Sequence, residues 1–111
     1  MKSTRDYSTK QELYVASYLD ATPTKNSGAG VWEKGDLIKD DMVIECKTKV
    51  KPSTQFTIKK EWIDKLRSEC ISMGKTEWSI IFDFGNIGDE YAVIPLDLFK
   101  DLLEWREHAD E

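Results

Sequence analysis

This sequence lacks an apolar run of membrane-spanning length, and its first ten residues, MKSTRDYSTK, lack the apolar stretch of a secretory signal. Both absences predict a cytoplasmic protein with no membrane partner. Histidine is nearly missing. The one copy, His108, lies in the charged stretch EWREHADE, with no neighbour at metal-ligand spacing. Cysteine is scarce too. Cys46 and Cys70 form no CxxC pair, and two buried free thiols suit a cytosolic chain better than a disulfide between them. Internal repeats and long linkers are also absent. The 111 residues are enough for one domain, residues 1–111, around one modest core.

Aromatic residues are plentiful, four Trp among them, and the apolar content is ordinary, so a disordered chain is not expected. A net charge of −5 argues at first against nucleic acid, but the charge is unevenly spread. Residues 1–60 carry eleven Lys and Arg against eight Asp and Glu; residues 61–111 carry five against thirteen. The basic half crowds Lys47, Lys49, Lys51, Lys59 and Lys60 into one short span. Salt screens charges beyond about 8–10 Å, so such a surface can bind phosphate on an acidic protein. A solvated lysine face is the plainer reading.

Periodicity predicts a helix over 10–19 with Thr9 as its cap, then a Gly-containing loop. A hairpin follows, with strands over 37–39 and 42–50 and a turn at Asp40-Asp41. A second helix carries Ile58, Trp62, Leu66 and Cys70 at four-residue spacing, capped by Thr57 and stopped by Gly74. WSIIFDF and YAVIP read as strands, and a last helix spans 96–106. The order α-β-β-α-β-β-α predicts an α/β fold, a mixed sheet flanked by helices.

The hairpin GDLIKDDMVIECKTK holds the chemistry. Val43, Glu45 and Lys47 share one strand face. A two-residue turn sets Lys39 opposite Met42, Ile38 opposite Val43 and Asp36 opposite Glu45. Opposed Cβ atoms lie roughly 4.5–5.5 Å apart. Two carboxylates at about 5 Å repel by roughly 3 kcal/mol at an effective dielectric near 20. A divalent cation between them reverses that sign, and hard oxygen ligands suit Mg²⁺, with Mn²⁺ as a substitute. Lys47 then stands at the edge of the metal site, where it can orient water or neutralise charge on a phosphate.

Asp36 followed by Glu45-Cys46-Lys47 resembles the signature of the PD-(D/E)xK nucleases. The order of elements is similar to the small Holliday junction resolvases of archaea and phages. These also open on a helix bearing a Glu, here Glu12. A Ser/Gly loop precedes the first acid, here NSGAG with Ser27 and Gly28. A loop and helix like STQFTIKKEWIDKL and an apolar strand like WSIIFDF follow the lysine. The likeness covers roughly Tyr7 to Phe84, with Gly35 where the motif name has Pro.

The resemblance implies a restriction-endonuclease-like mixed sheet and a Mg²⁺-dependent DNA endonuclease. Glu12, Asp36 and Glu45 would hold the metal, Lys47 would assist water or transition state, and the substrate would be a four-way junction. It also implies a homodimer, and the cytoplasm of a host cell if the chain is phage-encoded. Glu12 has a second reading, because TKQE from Thr9 forms a capping box. Ser27, Gly28, Lys49, Lys51, Gln55, Lys59 and Lys60 are candidate DNA contacts. The last two sit where the helix dipole disfavours cations, which hints at a bound anion. Trp32 and Trp62 read as core residues. Two alternatives stay open: another nuclease of the same group (repair, restriction-like or single-strand), or a non-catalytic DNA- or protein-binding module of the same fold.

Overall fold

Strand β3, Met42–Lys47, is buried from Val43 through Cys46, so both of its faces must be covered. This is why an apolar run without alternation lies in the middle of the sheet. The computed structural model describes residues 4–24 and 36–109, with side chains from Ser8 onward. It shows a mixed α/β fold of five strands and three helices. Helix α1, Thr4–Leu19, covers one face through Val15, which packs with Leu37, Ile44, Cys46 and Ile81. Helix α2, Lys60–Ser72, covers the other through Leu66 and Cys70, packed on Val43 and Ile80.

The sheet order follows the sequence, β1 to β5. Strand β2, Leu37–Lys39, is antiparallel to β3, with Ile38 opposite Val43 and Lys39 opposite Met42, the predicted register. Asp40 makes the turn at a left-handed φ of 53°, which Asp tolerates. Strand β4, Glu77–Phe82, runs parallel to β3, with α2 as the crossover that parallel strands require. Strand β5, Tyr91–Val93, closes the far edge antiparallel to β4. Helix α3, Leu96–His108, follows it.

Several expectations need correction. The element order gains a strand: β1, Thr22–Pro23, pairs with β2 at the sheet edge. Two residues carry no periodicity, and Pro23 is tolerated there because an edge strand can spare an N–H. Helix α1 starts at Thr4, so Thr9 lies inside it and the capping box does not form. Its first turns are polar, so no apolar period marked them. Strand β3 ends at Lys47 rather than at 50. Helix α2 starts at Lys60, with Lys59 rather than Thr57 at the N-cap and no side-chain cap. Lys59 is extended, and before it Phe56 packs on Phe82 at a ring separation of 4.8 Å. Gly74, at φ 68°, stops the helix as expected. Strands β4 and β5 end at Phe82 and Val93, and α3 runs two residues further than predicted. No helix among the described residues is long and apolar enough to cross a membrane.

Candidate active site

The face of the sheet under α2 carries the hairpin acids and the lysine. The β2–β3 register, continued by one residue, sets Asp36 opposite Glu45. Lys47 Nζ lies 3.6 Å from Glu45 Oε1, and the Glu45 side chain is 11% exposed. The same ammonium sits 4.4 Å from the centre of the Trp62 ring. A cation over an aromatic face gains about 0.5–2 kcal/mol. Lys47 is therefore held by one carboxylate and one ring, its charge directed along the strand face.

Asp36 meets a second acid that the sequence reading missed. Its carboxyl hydrogen-bonds Glu69 on α2. A bond between two carboxyl groups needs a proton shared between them. Burial, then the bond and charge of Glu69, then the charge of Glu45, push Asp36 up to about 8; Lys65 pulls it partly back. Lys65 Nζ lies 3.7 Å from Glu69 Oε1. A signal for Glu69 was present. It stands seven residues after Trp62 and three after Leu66, on the inward side of α2.

Three acids, Asp36, Glu45 and Glu69, crowd this half-buried face, with Lys47 and Lys65 as the neighbouring positive charges, and the crowding of acids suits a cation. Carboxylates are hard oxygen donors, and Mg²⁺ is commonly held by one or two of them with several waters retained. Among the described residues, no group of three or more His, Cys, Asp or Glu side chains stands ready to hold a metal. Asp36 and Glu45 fit a Mg²⁺ site of the two-carboxylate kind. Glu12 is carried by α1, which packs on the Ile44 and Cys46 side of the sheet, and its Oε1 is buried.

Its neighbour Gln11, also missed in the sequence, is fully buried and supports the site from behind. Gln11 Nε2 donates to the Lys47 carbonyl at 2.6 Å and to Glu90 Oε2 at 3.0 Å. Asp83, equally buried, accepts from Thr48 Oγ at 2.6 Å and from the Gly85 N–H at 2.7 Å. These bonds fix the chain as it leaves β3 just past the lysine.

The candidate DNA contacts divide. Lys49 Nζ lies 5.6 Å from the Phe56 ring and Lys59 Nζ 5.7 Å from the Trp62 ring, and those two rings neighbour each other. Lys47, Lys49 and Lys59 thus surround one aromatic pair. Lys60 is turned to Asp64, 2.8 Å away on its own helix. Lys51 and Gln55 are exposed on the intervening loop. That loop is held by the Ser53 N–H on the Phe84 carbonyl at 2.8 Å. Gly85, at φ 105°, permits it, since a Cβ there would come within 2.6 Å of Pro52 Cα. Ser27, Gly28 and Trp32 lie outside the described residues.

No protein-family model matches the chain, and neither does a curated protein or a solved structure.

Proposed function

We propose that this chain is a metal-dependent DNA endonuclease of the PD-(D/E)xK kind, and that its preferred substrate is the four-way junction. One observation carries the reading: Asp36, Glu45 and Lys47 gather on one sheet face, with the lysine 3.6 Å from the second acid. The sheet, with β2 antiparallel and β4 parallel to β3, is compatible with the restriction-endonuclease-like mixed sheet of the resemblance. The choice of a junction rests on the resemblance alone.

Asp36 and Glu45 would hold the divalent cation, Mg²⁺ or Mn²⁺. When bound, it supplies a Lewis acid that makes water acidic and draws charge off a phosphate. The remaining work falls to the chain. Lys47 faces the scissile phosphate and offsets the negative charge that grows there as water attacks. Trp62 and Glu45 fix that ammonium in advance, so little reorganisation is needed at the moment of reaction. Lys49 and Lys59 bind flanking phosphates, which position the strand without reading its bases. Glu69 keeps Asp36 facing the site.

A synthetic junction, a duplex and a single strand incubated with the protein test this. Cleavage of the junction with Mg²⁺, its loss with chelator, and its loss in Glu45→Ala are expected. Preference for duplex or single strand would favour a repair, restriction-like or single-strand nuclease of the same group. Binding without cleavage under every condition would leave a non-catalytic module.

A further inference from the structure

A row of aromatic rings runs sideways from Lys47 across the sheet. The register sets Lys47 beside Phe82 and Phe82 beside Tyr91, so the three side chains share the face that carries Glu45. Neighbouring strands lie about 4.8 Å apart, which puts Tyr91 about 10 Å from the lysine. Phe84, two residues beyond Phe82, turns to the same side. Its ring lies 5.5 Å from Phe82 and 5.6 Å from Tyr91. Phe56 covers Phe82 at 4.8 Å and reaches Trp62 at 6.2 Å. Three of the chain's four phenylalanines therefore stand in one band beside the candidate active site.

The band is not a closed core. Tyr91 is 46% exposed, and Phe56, Phe82 and Phe84 are half-buried. Its two ends differ in charge. Lys47, Lys49 and Lys59 gather over Trp62 and Phe56, whereas Tyr91 stands on the edge strand β5. The rings are also held in place. The Ser53 N–H on the Phe84 carbonyl, at 2.8 Å, ties the loop that carries Phe56 to the chain that carries Phe84. Cations beside aromatic faces hold a nucleic-acid strand by two contacts at once, ammonium to phosphate and ring to base. Inside a duplex the base faces stack on one another, so only an unpaired base can reach a ring.

We propose that the Phe84–Tyr91 end of this band stacks the unpaired bases of a DNA strand whose phosphates lie along Lys47, Lys49 and Lys59. The inference rests on the nuclease reading for the phosphate at Lys47, and it narrows the substrate. The strand that is cut carries unpaired bases beside the cut. In a four-way junction those are bases opened at the crossover. Tyr91 and Phe84 thereby select the substrate without touching the reacting phosphate.

Fluorescence anisotropy with chelator present tests this without cleavage. The full chain meets two labelled probes, a short oligothymidylate, which does not pair with itself, and the same strand annealed to its complement. Wild type should hold the single strand more tightly. Tyr91→Leu keeps apolar bulk but loses the ring, and should weaken single-strand binding roughly 10-fold, the size of one lost stacking contact, with duplex binding unchanged. Tyr91→Phe should bind as wild type does. Lys49→Gln should weaken both probes alike, as a phosphate contact does. If Tyr91→Leu is misfolded by circular dichroism, a strand carrying iodouracil, which crosslinks to a stacked ring under ultraviolet light, should attach to wild type at Tyr91 or Phe84. Equal affinity of wild type for the two probes overturns the proposal. So does a folded Tyr91→Leu with wild-type affinity for the single strand, or crosslinking confined to other parts of the chain. Cleavage is scored apart, with Mg²⁺ restored. Binding of the expected pattern without any cut would remove the nuclease reading and leave the aromatic site; cleavage with no preference for unpaired bases would do the reverse.

Discussion

At the scale of single residues, the site is costly to the fold that carries it. Asp36 is largely desolvated and faces Glu69 and Glu45, and its pKa rises from 3.8 to about 8. A folded carboxyl with a raised pKa binds more protons than the unfolded one, so stability falls as pH climbs between those values. Asn keeps a donor for Glu69 and removes the charge. Without metal, Asp36→Asn should be more stable than wild type at pH 8 by about 1–3 kcal/mol, discounted for the solvent that still reaches the group. The gain should shrink towards pH 4, and cleavage should be lost. Denaturant titrations at the two pH values measure this, and equal wild-type stability at both would refute it. Lys47 calls for a different substitution. Met fills the space against Trp62 without the ammonium. Lys47→Met should lower cleavage by roughly 100-fold or more, the range of a positioned catalytic group, with little change in melting temperature. Unchanged cleavage would remove Lys47 from the mechanism.

At the scale of elements, the two helices bring different acids to the sheet. Helix α1 and helix α2 lie on opposite faces of β3, with Glu12 carried by the first and Glu69 by the second. Glu69→Gln, next to Asp36, should reduce cleavage, and so should Glu12→Gln if the α1 acid reaches the metal. A nicking assay run on both variants decides: wild-type cleavage in either one removes that acid from the site. This is also where sequence reading reached its limit. The hairpin was legible because alternation and a two-residue turn fix a register, and Ile38 does stand opposite Val43. Gly74 was legible because a helix stop needs a residue at ease with positive φ. Strand β1 was not, since a two-residue bridge leaves no pattern. The face covered by α1 was not, since nothing local says on which side of a sheet a helix will settle. Glu69 offered a signal in its place on the inward side of α2, and Gln11 offered none; the packing makes one a neighbour of Asp36 and the other a buried support for Lys47.

At the scale of the whole molecule, charge and symmetry must suit the same substrate. The chain is acidic, yet Lys47, Lys49 and Lys59 gather around Phe56 and Trp62 beside the two acids. Phosphate contacts of this kind release counterions, so binding should weaken steeply as salt rises. A four-way junction has approximate two-fold symmetry and is resolved only by two cuts on opposed strands. One chain carries a single Asp36–Glu45–Lys47 group, so two cuts within one encounter need two chains facing opposite ways. The exposed apolar residues of α3, Leu96, Phe99, Leu102, Leu103 and Trp105, offer a surface on which two chains could meet. A supercoiled plasmid that extrudes a cruciform reads out the difference. Two coupled cuts convert it directly to linear DNA; a single cut relaxes it, reabsorbs the cruciform and leaves a nicked circle. Wild-type protein should give mostly linear product. Trp105→Asp, altered at an exposed residue of α3, should give mostly nicked circles at a comparable first-cut rate. Linear product from a variant shown to be monomeric would mean that paired cutting does not depend on the dimer.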